Sequence, residues 1–184
     1  MRRIKVLISI LVTLLLIFSY LGITNQPKTA SNPQVEGIQY LPSPFPSTWA
    51  TVTRVVDGDT IHVLLGNKKF IIRIIGLDTP ETVDPRKPVQ CMGKAASDRA
   101  KELLFNKKVV LEADPTQGET DKYGRLLRYV FINGTDDYGL GAILEGYAHE
   151  YTYKDPYKYQ LDYKRAQIAA KNARVGLWAE GACT

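Results

Sequence analysis

The 184-residue chain is poor in the side chains that most often hold transition metals. It has two cysteines, Cys91 and Cys183, and two histidines, His62 and His149. The cysteines show no C-x-x-C spacing and have no histidine beside them, which argues against a zinc site. The histidines read as surface or strand residues. There is no internal repeat, and no cysteine follows the N-terminal apolar run that could carry a lipid. The length allows one domain with a real core and hardly two. An apolar content of 45% excludes global disorder. Excess charge is scarce as well. The formal net charge is +5, but residues 1–48 hold +3 of it, through Arg2, Arg3, Lys5 and Lys28 against Glu36. From residue 49 onward, 20 basic side chains face 18 acidic ones. Net charge therefore says little about partners, and any electrostatic argument must come from placement.

The N-terminus carries an export pattern. MRRIK is a cationic start, and Val6 to Ile23 is apolar except for Ser9, Thr13, Ser19, Tyr20 and Gly22. The run is about long enough to span a bilayer. Thr29-Ala30-Ser31 offers small residues for cleavage, but Lys28 departs from an A-x-A pattern. Residues 1–23 are thus expected to be a cleaved signal peptide or a retained membrane anchor, with the remainder outside the membrane in either case. Residues 24–48 read as an extended linker, because their prolines, three of them in LPSPFPS, preclude a helix or central strand. A domain is expected over 49–180, with 181–184 as a tail. Export also frames the cysteines: an even count in an oxidising compartment suggests a Cys91–Cys183 disulfide, the alternative being two unpaired thiols. In the chain-entropy picture so long a loop is worth about 4–5 kcal/mol.

Within the domain, TVTRVV (51–56) alternates as a strand, Asp57-Gly58 signals a hairpin turn, and TIHVLL (60–65) follows. Gly66-Asn67-Lys68 turns into KFIIRII (69–75), completing an antiparallel meander. After a loop with Pro80, Pro85 and Pro88, Ala96, Ala100, Leu103 and Leu104 form the stripe of an amphipathic helix. Strands are expected at 109–113 and 126–132, and helices at 137–148 and 159–172. Strands mostly first, then helices, reads as α+β. A small closed or partly open barrel is the natural way to hide the sheet edges.

The hairpin joining the second and third strands brings chemistry together. Asp59 precedes one strand and Asp78 follows the other, so both lie at the same end, with Gly76 able to absorb the excess length as a bulge or bend. Asp57, Asp59 and Asp78 should cluster, with Glu81 a short turn away. At about 4 Å and an effective dielectric near 20, each pair of carboxylates costs on the order of 4 kcal/mol. An all-oxygen set suits a hard cation, Ca²⁺ or Mg²⁺. For VDGDT alone, a plain turn is the simpler reading; convergence with Asp78 and Glu81 favours metal. Arg73, inside FIIRII, needs an anion. Either it partners the acids, or its fork awaits a phosphate. Two further clusters stand out. Lys122, Tyr123 and Arg125 in TDKYGR put two cations and a phenol on a loop, a place for exposed function, though taken alone the motif reads more simply as a solvated hairpin turn. EYTYKDPYKY sets Tyr151, Tyr153, Tyr157 and Tyr159 beside Lys154 and Lys158. They could stack nucleobases or pack around a loop.

The ordered set VDGDT, R-x-x-G-L-D-T-P-E, T-D-K-Y-G-R, A-x-x-Y-x-Y and G-L-W resembles the staphylococcal nuclease family over about residues 49–179. VDGDT alone is a weak signal; the ordered set is specific. The resemblance implies a five-stranded OB-fold (Greek key) barrel with about three helices. It also implies a Ca²⁺-dependent phosphodiesterase that cleaves the P–O5′ bond of DNA and RNA and leaves 3′-phosphates. Asp59 and Asp78 match the calcium-ligating carboxylates, the Thr79 carbonyl a third ligand, and Asp57 and Thr60 groups near the ion or linked through water. Glu81 matches the general base, and Arg73 and Arg125 the pair gripping the scissile phosphate. Lys122, Tyr123, Tyr151 and Tyr153 match positions holding the rest of the nucleotide. One bound Ca²⁺, a nucleic-acid substrate, a monomer and an extracellular location, secreted or anchored on the outer face, are expected.

Two departures qualify the match. The loop TVDPRKPVQCMG contains a cysteine and differs from the best-known member, and the basic surface is modest, so binding to long polymers should depend strongly on salt. A catalytically dead OB module that only binds nucleic acid or protein would be expected to lose Arg73, Glu81 or Arg125, and all three are present. A structural protein whose acids are mere turns leaves Arg73 unexplained.

Overall fold

A computed structural model describes residues 47–82 and 89–183. The N-terminal apolar segment, nearly all of the linker, residues 83–88 with Pro85 and Pro88, and Thr184 lie outside the described residues. Strands β1 (Ser47–Val55), β2 (Thr60–Leu65) and β3 (Lys68–Ile74) form the expected meander, and β1 starts two residues ahead of Trp49. Next come β4 (Leu77–Asp78), α1 (Gly93–Leu104), β5 (Lys108–Glu112) and β6 (Leu126–Ile132). The chain ends with β7 (Asp136–Asp137), α2 (Tyr138–Leu144), β8 (His149–Glu150), α3 (Gln160–Ala173) and a 3-10 turn at Gly176–Trp178. The two-residue strands β4, β7 and β8 leave no sequence signal, because at that length no alternation can be seen.

The main sheet runs β3-β2-β1-β5-β6-β7. It closes on itself where β3 pairs in parallel with β6, with Ile72 opposite Leu126 and Arg73 opposite Leu127. The other pairings in the main sheet are antiparallel. The result is a closed five-stranded mixed barrel with three helices, the α+β architecture expected of an OB-fold. Closure removes the open edges that a five-stranded sheet would otherwise expose. A separate ladder joins β4 to β8, placing Asp78 opposite His149.

The barrel interior is filled by alternate residues, among them Val52, Ile61, Val63, Ile72, Ile74, Val109 and Val130, all buried. Burying such a side chain contributes roughly 1.5–3 kcal/mol relative to leaving it in water. Helix α1 covers the barrel with Ala96, Ala100 and Leu104, the stripe read from the sequence. In α2, the Asp137 side chain caps the helix by accepting from the Leu140 amide at 3.1 Å. Gly139 is required there: a Cβ would stand 2.5 Å from the Tyr163 hydroxyl. Helix α3 ends ten residues before Cys183, which forms a disulfide with Cys91.

Candidate active site

The pleat of β3 explains how an arginine can sit in an apolar strand. Ile72 and Ile74 point into the barrel, whereas Ile71 and Arg73 belong to the opposite face. Arg73 is therefore on the outer wall, at the end of the strand, directly opposite Thr60 of β2. Gly76 then turns the chain with φ +85°, and a Cβ there would meet the Tyr157 and Tyr163 rings at 2.7 Å. The turn is the bend needed to bring Asp78 back to the hairpin end. Gly58 does the same for the other side of the site, since a Cβ on it would lie 2.5 Å from the Thr79 methyl. The buried Tyr138 hydroxyl donates to the Gly58 carbonyl at 2.6 Å and fixes that turn.

These turns place Asp57 and Asp78 each beside Asp59. Asp59, 6% exposed, accepts from the Thr60 hydroxyl at 2.9 Å, and from the Thr79 amide and hydroxyl at 3.0 and 3.2 Å. Asp57 accepts from the Asp59 amide at 3.1 Å. Arg73 spans the group: its Nη1 lies 3.2 Å from Asp59 and its Nη2 3.0 Å from Asp78. Nη1 also donates to the Leu77 carbonyl at 2.9 Å. Of the two roles left open for Arg73, partner of the acids is the one it fills here, while the same guanidinium borders an open cleft.

Charge in this corner is incompletely balanced. Burial, and next the Asp59 carboxylate, push Asp57 up to about 7. Burial likewise raises Asp78, against the opposing pull of Arg73. Among the described residues, no group of three or more histidine, cysteine or acidic side chains has metal-ligand spacing. The chemistry of the donors nevertheless fits a hard cation: they are all oxygen, and anionic charge is crowded enough to resist deprotonation.

Arg125 comes from the loop before β6. Its backbone amide donates to Asp121 at 3.0 Å, and its Nε donates to the same carboxylate at 2.7 Å. Burial alone would raise Asp121, but these bonds and that from the Tyr123 amide hold its carboxyl below the usual range. Arg125 Nη1 also donates to the Thr60 hydroxyl at 3.3 Å. Thr60 thus links the second arginine to Asp59. The Arg125 guanidinium and the Lys122 ammonium lie 5.4 and 5.0 Å from the Tyr123 ring. Arg73 and Arg125 border one cleft of about 550 Å³, with Asp78 at one side and Lys122, Tyr123, Tyr151 and Tyr153 among its walls.

The tyrosine cluster divides. Tyr151 and Tyr153, 43% and 76% exposed, line the cleft with ring centroids 6.4 Å apart. Tyr157 and Tyr159 are buried beneath α3 and pack against Tyr129 and Tyr163. Glu81 lies on the segment after β4, where its charge adds to the repulsion on Asp78. Its amide donates to the Gln90 side chain at 2.8 Å, and its carbonyl accepts from the Gln90 amide at 3.0 Å. Sequence reasoning missed Asp121 and Gln90, both of which fix a predicted site residue. D-K-Y-G-R, with an acid four residues before the arginine, carried a signal for the first. His149, given no role from sequence, sits opposite Asp78 and stacks edge-on against Trp178 at 5.0 Å.

A small closed barrel of the OB type, with two guanidiniums bordering one cleft and a group of carboxylates beside the first of them, is suited to holding an anion. Residues 71–180 match the family described as staphylococcal nuclease homologues. The chain belongs to the staphylococcal nuclease family. It is 44% identical over 128 residues to a thermonuclease of Staphylococcus hyicus, covering 70% of this chain and 74% of that protein. Against a thermonuclease of Staphylococcus intermedius the identity is 38% over 173 residues, or 94% and 95% of the two chains. Endonuclease YncB of Bacillus subtilis is 38% identical over 131 residues, 71% of this chain and 61% of that one.

Proposed function

We propose that the protein is an exported, Ca²⁺-dependent nuclease that hydrolyses phosphodiester bonds in DNA or RNA and acts as a monomer outside the cell. One observation carries the reading: Arg73 and Arg125 border the same cleft, and Asp59 and Asp78 stand at the Arg73 end. Two planar forks are what a phosphodiester needs, because its oxygens gain charge as phosphorus becomes five-coordinate. Family membership and the two thermonuclease relatives support the same activity.

Asp59, Asp78 and the Thr79 carbonyl would hold the Ca²⁺, with Asp57 and Thr60 beside it. When bound, the ion supplies neutralising charge for a phosphoryl oxygen and a place for water. Glu81 takes the proton of the attacking water. Arg73 and Arg125 follow the growing charge on the phosphoryl oxygens, and the P–O5′ bond breaks. The 5′ oxygen leaves as a hydroxyl with a proton from solvent, and the 3′-phosphate stays on the other fragment. Tyr123, Tyr151, Tyr153 and Lys122 hold the nucleotide by stacking and charge. The test is digestion of labelled DNA and RNA by the full chain with Ca²⁺, with Mg²⁺ and with chelator, beside Glu81→Gln. Cleavage with Ca²⁺ that chelator abolishes and Glu81→Gln strongly reduces is expected. Undiminished cleavage in chelator would overturn the mechanism. Binding without cleavage under all conditions would identify a non-catalytic OB-fold module instead.

A further inference from the structure

The backbone around Glu81 is held by the segment that carries Cys91. Gln90 grips Glu81 at two points, accepting from its amide and donating to its carbonyl, at 2.8 and 3.0 Å. Gly93, the first residue of α1, presses on the same stretch. A Cβ there would meet the Thr82 methyl at 2.8 Å and the carbonyls of Pro80 and Glu81 at 3.1 Å. Between them, Met92 adopts φ +63°, a left-handed conformation that a side chain other than glycine takes up only where its surroundings enforce it. The Gly93 amide closes the turn by donating to the Gln90 carbonyl at 2.9 Å.

Cys91 lies inside that turn and is bonded to Cys183, 92 residues away. The chain that leads to Cys183 is held to the body a few residues earlier. Leu177 donates its amide to the Gly146 carbonyl at 2.8 Å, and a Cβ on Gly146 or on Gly176 would fall 2.3 Å from the carbonyl oxygen of Val175 or of Gly146 respectively. Trp178 stacks on His149, the ladder partner of Asp78. The tail therefore ties the Gln90–Gly93 turn to the same wall that presents Asp78. Both cysteines are exposed, so a reductant can reach them.

We infer that the Cys91–Cys183 disulfide, acting through Gln90 and Gly93, positions Glu81, so that the rate of hydrolysis depends on the redox state of this bond. The inference rests on Glu81 being the base proposed above. A displacement of about 1 Å at a catalytic group can cost up to roughly 10²-fold in rate. Reduction, which breaks no contact in the arginine cleft, should therefore lower kcat by about tenfold and leave KM within about twofold.

The experiment compares the full chain oxidised, reduced with dithiothreitol, and as the Cys91→Ser/Cys183→Ser double variant. Each is assayed on a DNA substrate with Ca²⁺, well below its own melting temperature. Reduced and double-variant proteins should share the lowered kcat, and only wild type should recover it on reoxidation. Exchange of the Glu81 amide hydrogen should be faster without the bond. Gln90→Ala, with the disulfide intact, should lower kcat in the same way, and reduction should then add little. Equal kcat in oxidised and reduced protein, with only a lower melting temperature, would make the bond a stabilising cross-link and overturn the inference. Full activity in Gln90→Ala would do the same even if the reduced forms failed to fold. Full activity in oxidised Glu81→Gln would instead remove the assignment of the base, a separate failure.

Discussion

Two acidic groups in this protein each centre on a buried carboxylate, Glu112 and Asp114 in one and Asp59 in the other, but their surroundings differ. Beneath α3, Asp114 accepts from the Tyr129 hydroxyl at 2.7 Å, the Lys158 amide at 2.9 Å, and the Thr116 amide and hydroxyl at 2.9 and 2.8 Å. Glu112 beside it takes the Lys158 ammonium at 2.7 Å and the Tyr159 hydroxyl at 3.1 Å. Burial would raise Asp114, yet these donors outweigh it and its pKa falls. At the cleft, Asp59 and Asp78 share the guanidinium of Arg73 with Asp57 beside Asp59, and Asp57 and Asp78 are both pushed upward. Burial raises Asp57, Asp78 and Asp114 alike, and around Asp114 the donors are numerous enough to reverse it. The inner group is a finished structural network. The cleft group has one guanidinium for two carboxylates and fewer donors around each.

The largest effect should come from the inner group. Glu112→Ala removes the charged acceptor of the part-exposed Lys158 ammonium and of the buried Tyr159 hydroxyl, and a hydrogen bond to a charged group is worth about 1.5–3 kcal/mol. Chemical denaturation should show that loss, while kcat per folded molecule stays near wild type. An unchanged denaturation midpoint would show that the network contributes little. The cleft should behave the opposite way. Arg73→Ala or Arg125→Ala should cost at least roughly 10²-fold in kcat, as losing one transition-state donor does. Near-wild-type turnover in either folded variant would remove the phosphate-binding assignment.

That division was only partly legible in the sequence. Alternation and turn residues marked the five barrel strands and the three helices to within a few residues at most ends, because those signals are local. The meeting of Asp57, Asp59 and Asp78 followed from hairpin geometry and the bend at Gly76. The pairing of Arg73 with Asp59 and Asp78 did not, because both candidate roles fit the same strand position. Tyr151 and Tyr153 could not be told from Tyr157 and Tyr159 by composition. The split depends on where α3 packs, and no local pattern encodes that. Gln90 was invisible for a similar reason, since its bond to Glu81 spans a nine-residue loop closure.

Titration separates the two groups at a finer scale. In metal-free protein Asp57 rises from 3.8 to about 7, so the folded state binds its proton more tightly than the unfolded chain. The stability this contributes is complete below the unfolded value and is lost as pH rises through about 7. Asp137, fully buried and also raised to about 7, acts in the same direction. Asp57→Asn isolates the cleft from it: in chelator, the fall in melting temperature between acid and neutral pH should become shallower. A slope identical to wild type would mean that Asp57 is not crowded by its neighbours.

The smallest effect should fall on the tyrosines, and it distinguishes an outer pair from an inner one. Tyr153 is 76% exposed at the cleft, so its removal leaves no cavity. Stacking of a base on an aromatic ring is worth about 1–3 kcal/mol, and an exposed ring belongs at the low end. Tyr153→Ala should therefore raise KM for a single-stranded substrate roughly fivefold, with kcat and melting temperature nearly unchanged. Tyr157 is buried, and its hydroxyl donates to Glu150 at 3.0 Å with the Gly76 carbonyl 3.2 Å away. Tyr157→Phe should cost about 1 kcal/mol of stability and leave KM alone. Kinetics and melting curves for the two variants read out opposite columns. If Tyr157→Phe raised KM instead, the inner ring would be shaping the cleft through Gly76, and the boundary between structure and site would lie deeper in the barrel.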